Sequence, residues 1–375
     1  MILKTQEFQK VASTIVGAID KNAGSIELFA DGQNPELYLS ASNKEYYCRV
    51  AFPLNEPAFI HAVVDAQLFL SLISGLTTDT FEITTTPNAV TVKTGKSKYK
   101  LSIIFDNNKM LEIPAIEIKN KTVEMNIGKD ILTSISNING KEISKVRGLD
   151  INELQKLYYI TENGCFTFTT GACLNKFTLD KPVNLLLNDR IVKLFKLFKD
   201  DVKFSMGFDS LSDTLVQTKV CFEADGIYLA AITACNDILL SKVQKPCEMT
   251  KNFINEPYDN HLVINAAQMS AAIARLMMFT KNSGKATNML SVPATISFAN
   301  GEMTISDNDN EEVVSTLNEE SSMVNGYSMI VNLADLKAIL DSCKDGTITM
   351  NCGNHRVIVF TRGNINWLVS EGIKA

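Results

Sequence analysis

The 375-residue sequence contains no run of about 18 uncharged apolar residues, so nothing in it is expected to span a membrane as a helix. Its start, Met1-Ile-Leu-Lys-Thr-Gln-Glu, lacks the charged and then apolar regions of a secretory signal, which points to a cytoplasmic protein. No C-x-x-C occurs: the eight cysteines stand at 48, 165, 173, 221, 235, 247, 343 and 352 and are expected to be reduced thiols. Histidine is scarce. His61, His261 and His355 are far apart, with no H-E-x-x-H, Cys/His cluster or EF-hand loop, so no metal is expected. There is no G-x-G-x-x-G, no G-x-S-x-G and no Walker A loop. Gly95-Lys96-Ser97 imitates the tail of the last, but Val90 stands where its first glycine should be. Acidic pairs such as Asp200-Asp201 and Glu311-Glu312 read as solvated turns rather than a general acid and base. Neither a catalytic residue nor a cofactor is expected.

What is present is an ordinary globular balance: 45% apolar residues, 21% charged, and a net charge of −6. The length calls for more than one core, and 375 is three times 125.

The chain repeats itself at that interval. Asp65–Leu76, Asn188–Asp201 and Asn332–Gly346 each start on a capping residue and carry apolar side chains at helical spacing. Each is followed by an alternating strand, Phe81–Thr86, Phe204–Phe208 and Ile348–Cys352, always 16 residues after the cap. A second strand follows at Ala89–Thr94, Thr218–Ala224 and Arg356–Thr361. A third follows at Tyr99–Ile104, Ile227–Thr233 and Ile365–Ser370. The front halves also match. A short strand precedes an amphipathic helix at Thr5–Asp20, Gly128–Ile138 and Asn265–Thr280, and an apolar strand comes later at Glu36–Ser42, Gly164–Thr170 and Gly301–Asp307. Three α+β repeats are predicted, at 1–121, 122–250 and 257–375, with linkers at Lys119–Thr122 and Lys251–Asn260.

This layout resembles the bacterial sliding clamp, the beta subunit that serves as processivity factor of the replicative DNA polymerase. Four stretches carry the resemblance. The helix-to-hairpin pattern from Phe69 to Ile104 matches the end of the family's first domain. Gly164-Cys-Phe-Thr-Phe-Thr-Thr-Gly-Ala-Cys-Leu stands where the family has a strand ending in a T-D-G-H-R-L-like turn. Ala274-Arg-Leu-Met-Met-Phe matches the end of the first helix of its third domain. Asn366-Trp-Leu-Val-Ser-Glu-Gly ends the chain where the family has an aromatic-Val-Val-Met-Pro-Met-Arg-Leu tail. The resemblance implies the DNA-clamp fold. Three repeated domains, each with two helices on an inner face and antiparallel sheets outside, would pair as a homodimeric ring around double-stranded DNA. Its partners would be a DNA polymerase and a clamp-loader ATPase. Departures from the bacterial pattern suggest a divergent, phage-encoded member acting in its host's cytoplasm. The competing reading is a tandem α+β interaction scaffold that never touches DNA.

Charge distinguishes these readings. The helical segments 5–21, 64–76, 128–147, 188–201, 265–285 and 332–345 carry 0, −1, +2, +1, +3 and −1, together +4, which leaves −10 for the rest. Arg190, Lys193, Lys196 and Lys199 sweep one half of a predicted helix, apolar residues the other. They are either a phosphate-facing stripe or a solvated face. Lys129, Lys141, Lys145, Arg147, Arg275, Lys281 and Lys285, then Lys10 and Lys21, are further candidates for DNA contact.

Two more sites follow from the resemblance. Tyr99 and Leu101, with Met278 and Phe279, match the dimer interface, or else are core residues. Lys96, Lys98 and Lys100 against Asp307, Asp309, Glu311 and Glu312 would complement each other there. Thr170, Gly171, Leu174, Trp367, Leu368, Val369 and Ile373 match the family's pocket for partner peptides. Ser370-Glu-Gly in place of Met-Pro-Met leaves that pocket reshaped or lost, and Trp367, the sole tryptophan, could equally be core packing.

Overall fold

Phe8 shows how the helices are held. Its ring is fully buried and meets Phe52, Phe81 and Phe69 edge-on, at centroid distances of 5.1, 5.5 and 6.4 Å. One aromatic residue of an amphipathic helix thereby ties two sheets and a second helix together. The computed structural model describes residues 1–19, 24–43, 45–138, 157–169, 171–212, 215–233, 237–282, 292–299, 302–307, 309–316, 321–343 and 346–372.

In chain order the elements are β1 (Ile2–Lys4), α1 (Thr5–Ile15), β2 (Ser25–Asp31), β3 (Glu36–Ser42), β4 (Tyr46–Pro53), β5 (Phe59–Asp65), α2 (Ala66–Ser74), β6 (Thr80–Thr86), β7 (Ala89–Thr94), β8 (Ser97–Ser102), β9 (Phe105–Asp106) and β10 (Lys109–Met110). There follow β11 (Lys121–Ile127), α3 (Lys129–Asn137), β12 (Leu157–Thr161), β13 (Gly164–Thr169), β14 (Gly171–Lys176), β15 (Asn184–Asn188), α4 (Asp189–Leu194), β16 (Val202–Ser212), β17 (Leu215–Ala224), β18 (Ile227–Ile232) and α5 (Asp237–Asn255). The last are β19 (Asn260–Asn265), α6 (Ala266–Asn282), β20 (Pro293–Ala299), β21 (Glu302–Ser306), β22 (Glu311–Val314), β23 (Ser328–Asn332), α7 (Leu333–Cys343), β24 (Thr347–Cys352), β25 (Val357–Arg362) and β26 (Ile365–Ser370).

The chain packs as two compact units. The first is Met1–Ser136 with Arg190–Thr233, the second Asn137–Asp189 with Ala234–Ala375. The first unit holds an eight-stranded sheet, β11-β16-β17-β18-β4-β3-β2-β5, and a four-stranded one, β1-β6-β7-β8. The second holds β15-β12-β13-β14-β26-β25-β24-β19 and β22-β21-β20-β23. All these ladders are antiparallel. The middle third of the sequence is thus shared out. Its last strand, β18, pairs with β4 in the first unit (Ile227↔Val50 to Ala231↔Tyr46), and its β14 pairs with β26 in the second (Ala172↔Leu368 to Asn175↔Ile365).

All six predicted helices form. Asp65 caps α2 by accepting the Leu68 amide at 2.7 Å. Asn332 caps α7 by accepting from Ala334 N at 3.2 Å. Two helices are shorter than their periodicity suggests. α1 ends at Ile15 and α4 at Leu194, each followed by a single 3₁₀ turn, Val16–Ala18 and Phe195–Leu197, and then by an extended residue, Ile19 and Phe198. The predicted helix 188–201 is therefore six α-helical residues and one tight turn, with Lys199 beyond it. The apolar run Leu194-Phe195-Leu197-Phe198 drives this: Phe195 and Phe198 both turn onto Phe222, at 4.7 and 6.5 Å.

The predicted linker 251–260 is also corrected. α5 runs from Asp237 to Asn255 with Pro246 inside it. Proline disfavours a helix interior, and the linker's own proline, Pro257, falls two residues beyond the helix end. Tertiary packing prevails because Val243, Cys247 and Thr250 all face inward and are buried.

Candidate DNA-facing helices and partner surfaces

Arg190, Lys193, Lys196 and Lys199 are all exposed, while Ile191, Val192, Leu194, Phe195 and Phe198 are buried. The apolar half of the segment is pinned by Phe222, which leaves the cations no direction but outward. Packing brings two further helices to this stripe. A Cβ on Gly17, just after α1, would stand 3.7 and 3.8 Å from the side chains of Leu197 and Leu194, so α1 and the α4 turn lie close together. The Asp201 carboxylate accepts the Lys129 amide at 2.9 Å and caps α3 beside the segment that carries Lys199. Lys10 and Lys129, both exposed, thus stand on helices adjoining the stripe. Lys21, Lys141, Lys145, Arg147 and Lys285, and the side chain of Lys281, lie outside the described residues.

Arg275 is engaged elsewhere. Its Nε and one terminal nitrogen donate to the two carboxylate oxygens of Glu312, each at 2.7 Å. This bidentate pair raises the arginine's affinity for its proton and holds Glu312 below the usual carboxylate range. Arg275 therefore ties α6 to β22, and a phosphate would meet its guanidinium in competition with Glu312. Its partner is 37 residues away in sequence, which no helical wheel could show.

The predicted interface residues are not core. Tyr99 is 44% exposed, and Met278 and Phe279 are each 57% exposed; Leu101 is half-buried. Tyr99 and Leu101 share one face of β8, the outer strand of its four-stranded sheet, and Lys98 and Lys100 point the other way. β22 is likewise an outer strand. Val313 on it is 54% exposed, and Asp309 and Glu311 are exposed. Each unit thus presents an edge strand with apolar side chains beside it, one edge basic and the other acidic.

The β14–β26 ladder brings the residues predicted for the peptide pocket side by side within the second unit but divides them between its two faces: Leu174 and Leu368 lie on one face, and Trp367, opposite Cys173, lies with Val369 on the other. Thr170 and Ile373 lie outside the described residues. Gly171 adopts φ +99°, and a Cβ there would stand 2.1 Å from the Leu368 carbonyl oxygen, so only glycine allows the two strands to close. The expected hollow is filled. α5 packs on β14, β25 and β26, and its Val243 and Cys247 join Leu174, Tyr159, Phe166 and Leu186 in one buried cluster. Leu174 is buried accordingly, and Trp367, Leu368 and Val369 are buried as well.

Among the described residues no group of three or more His, Cys, Asp or Glu is placed to hold a metal ion. Burial pushes the thiols of Cys48 and Cys352 up to about 12 and that of Cys221 to about 11, which makes them poor nucleophiles.

No protein-family model matches the sequence, and no curated protein matches it significantly. Solved structures do. The DNA polymerase III subunit beta of Pseudomonas aeruginosa superposes with a TM-score of 0.77 at 13% identity, covering 99% of both chains. The beta subunit of the Streptococcus pyogenes DNA polymerase gives 0.76 at 13%, covering 100% of this chain and 99% of that one. The Bacillus subtilis DNA polymerase sliding clamp gives 0.73 at 13%, with the same coverage. Over its whole length the chain has the fold of the bacterial DNA sliding clamps.

Proposed function

We propose that the chain is a DNA sliding clamp, a non-enzymatic processivity factor that encircles duplex DNA and tethers a replicative polymerase. The observation that carries this reading is the full-length clamp fold: a match over 99–100% of both chains at 13% identity is a likeness of the whole architecture, not of one module. The basic stripe gives the fold a use. Phosphate attraction is independent of sequence, and a protein that holds DNA by topology needs only that.

The repeats 1–121, 122–250 and 257–375 would serve as three domains per subunit, six around the duplex in a homodimer. Two-fold symmetry closes every contact when β8 of one copy meets β22 of the other. Tyr99 and Leu101 then face Met278 and Phe279, and Lys96, Lys98 and Lys100 face Asp307, Asp309 and Glu311. A tether raises the polymerase's effective concentration at the primer end without a new contact to DNA. A clamp-loader ATPase would open the ring. The protein would act in the cytoplasm, that of a host if it is phage-encoded.

The test is the solution mass, with retention on closed circular plasmid compared with the same plasmid linearised, a clamp loader being supplied. A dimer that is retained on circles and runs off linear ends is expected. A monomer with no preference for circles refutes the clamp and favours a scaffold.

A further inference from the structure

The strands beneath α5 are complete without it. β14 and β26 pair from Ala172↔Leu368 to Asn175↔Ile365, and β25 pairs with β26 along its length, so no strand-to-strand hydrogen bond runs through the helix. What α5 contributes is side chains. Leu240, Val243, Cys247 and Ile254 fall on one stripe at spacings of three, four and seven, and together with Leu239 they cover Leu174, Phe166, Phe168, Tyr159 and Ala172. The other face carries Lys242, Lys245, Glu248 and Asn252, all exposed. Pro246 lies in the middle and cannot donate to the carbonyl four residues back. The helix is thus an amphipathic segment laid into an apolar groove, weakened at its centre and separate from the ladders it covers. The cover at the other seam is built differently. Segment 111–120 crosses the β18–β4 seam of the first unit, tied by Tyr228 Oη to the Ile116 carbonyl at 3.0 Å and by Lys219 Nζ to the Glu117 carbonyl at 3.3 Å.

We propose that α5 is a resident competitor at the partner-peptide site. It occupies the groove over the β14–β26 seam, and a polymerase or other partner binds by displacing it. The partner segment would be an amphipathic helix with aliphatic side chains at the spacing of Leu240, Val243 and Cys247. The inference rests on the clamp reading above, which places the partner site at this seam.

Two measurements on the full chain decide it. The first is hydrogen exchange of the wild type. The amides of α5 should exchange about 100-fold or more faster than those of β14 and β26, because the helix lifts off as a local unit. Equal protection of all three elements overturns the proposal. The second uses a fluorescent synthetic peptide of residues 237–255 added in trans. It should bind the full-length double variant Val243→Glu/Cys247→Glu about tenfold or more tighter than the wild type. The same peptide carrying both glutamates should not bind. No gain in affinity by a variant that remains folded overturns the proposal, and if the variant does not fold, the exchange result alone decides. Retention on circular DNA, measured on the wild type, separates the two ideas. Retention without any gain in peptide binding leaves the clamp and removes the competitor. Peptide binding without retention supports α5 as occupant of the groove and removes the clamp.

Discussion

The hydroxyl of Tyr228 donates a hydrogen bond to the backbone carbonyl of Ile116 at 3.0 Å, across 112 residues of sequence. Segment 111–120 has no regular structure, and this bond, together with the packing of Ile113, Ile116 and Ile118 around Tyr47, Cys221 and Ala230, straps it over the β18–β4 seam. Arg49 reinforces the same place, with its guanidinium 4.6 Å from the Tyr38 ring centre and 5.4 Å from that of Tyr228. Tyr228→Phe should keep the ring contacts and lose the hydrogen bond. We expect about 1–2 kcal/mol of destabilisation by urea denaturation, with faster amide exchange confined to 111–120. An unchanged midpoint would mean that water satisfies the Ile116 carbonyl equally well.

The basic stripe makes a quantitative prediction. Replacing Arg190, Lys193, Lys196 and Lys199 together with Ala should weaken association with duplex DNA and shrink the slope of log affinity against log salt by up to about 3.6, at roughly 0.9 per phosphate released. Stability should hardly change, because the four side chains are exposed. The matching change at Arg275 should shrink the slope by less than about 0.9, since there a phosphate must compete with Glu312 for the guanidinium. A slope unaltered by the fourfold change would show that the stripe is a solvated face.

Met278 and Phe279 address assembly. Both are 57% exposed, so Met278→Asp with Phe279→Asp should cost the isolated subunit less than about 0.5 kcal/mol. In a dimer the same pair would bury two charges against Tyr99 and Leu101. Light scattering should then report a monomer with an unchanged circular dichroism spectrum. A variant that retains the wild-type mass places the interface elsewhere.

Gly171 tests the seam itself. Gly171→Ala combines left-handed strain at φ +99° with a Cβ 2.1 Å from the Leu368 oxygen, and β14 and β26 must part to admit it. We expect a loss of about 2 kcal/mol or more. Gly326 is the control: φ is +83° but nothing lies within 4 Å of the added carbon, so Gly326→Ala should cost only about 1 kcal/mol. Equal melting temperatures for the two variants would show that the seam gives way without cost.

Much of this fold was legible in sequence because its determinants are local. Asp65 and Asn332 are capping residues three or fewer positions from the amides they accept, and alternating runs such as Phe81–Thr86 need only a period of two. The cationic half of 188–201 was legible for the same reason, although the early end of its helix was not: the 3₁₀ turn at Phe195–Leu197 answers to Phe222, which lies in a distant strand. Tyr99 and Met278 were named, but whether they faced core or solvent was open, since an apolar side chain on an edge strand or a helix end reads alike in both cases.

Composition and periodicity alone determined that the chain is built from three similar α+β repeats, with acidic strands and loops and a more basic set of helices. Only the tertiary structure decided that Arg275 is paired with Glu312, and that the middle third of the chain is divided between two compact units. It also decided that the groove over Leu174 is already filled by α5. Each of these depends on which residues meet across tens or hundreds of positions. Such meetings are selected by the packing of whole faces against one another, and no spacing within a single segment encodes them.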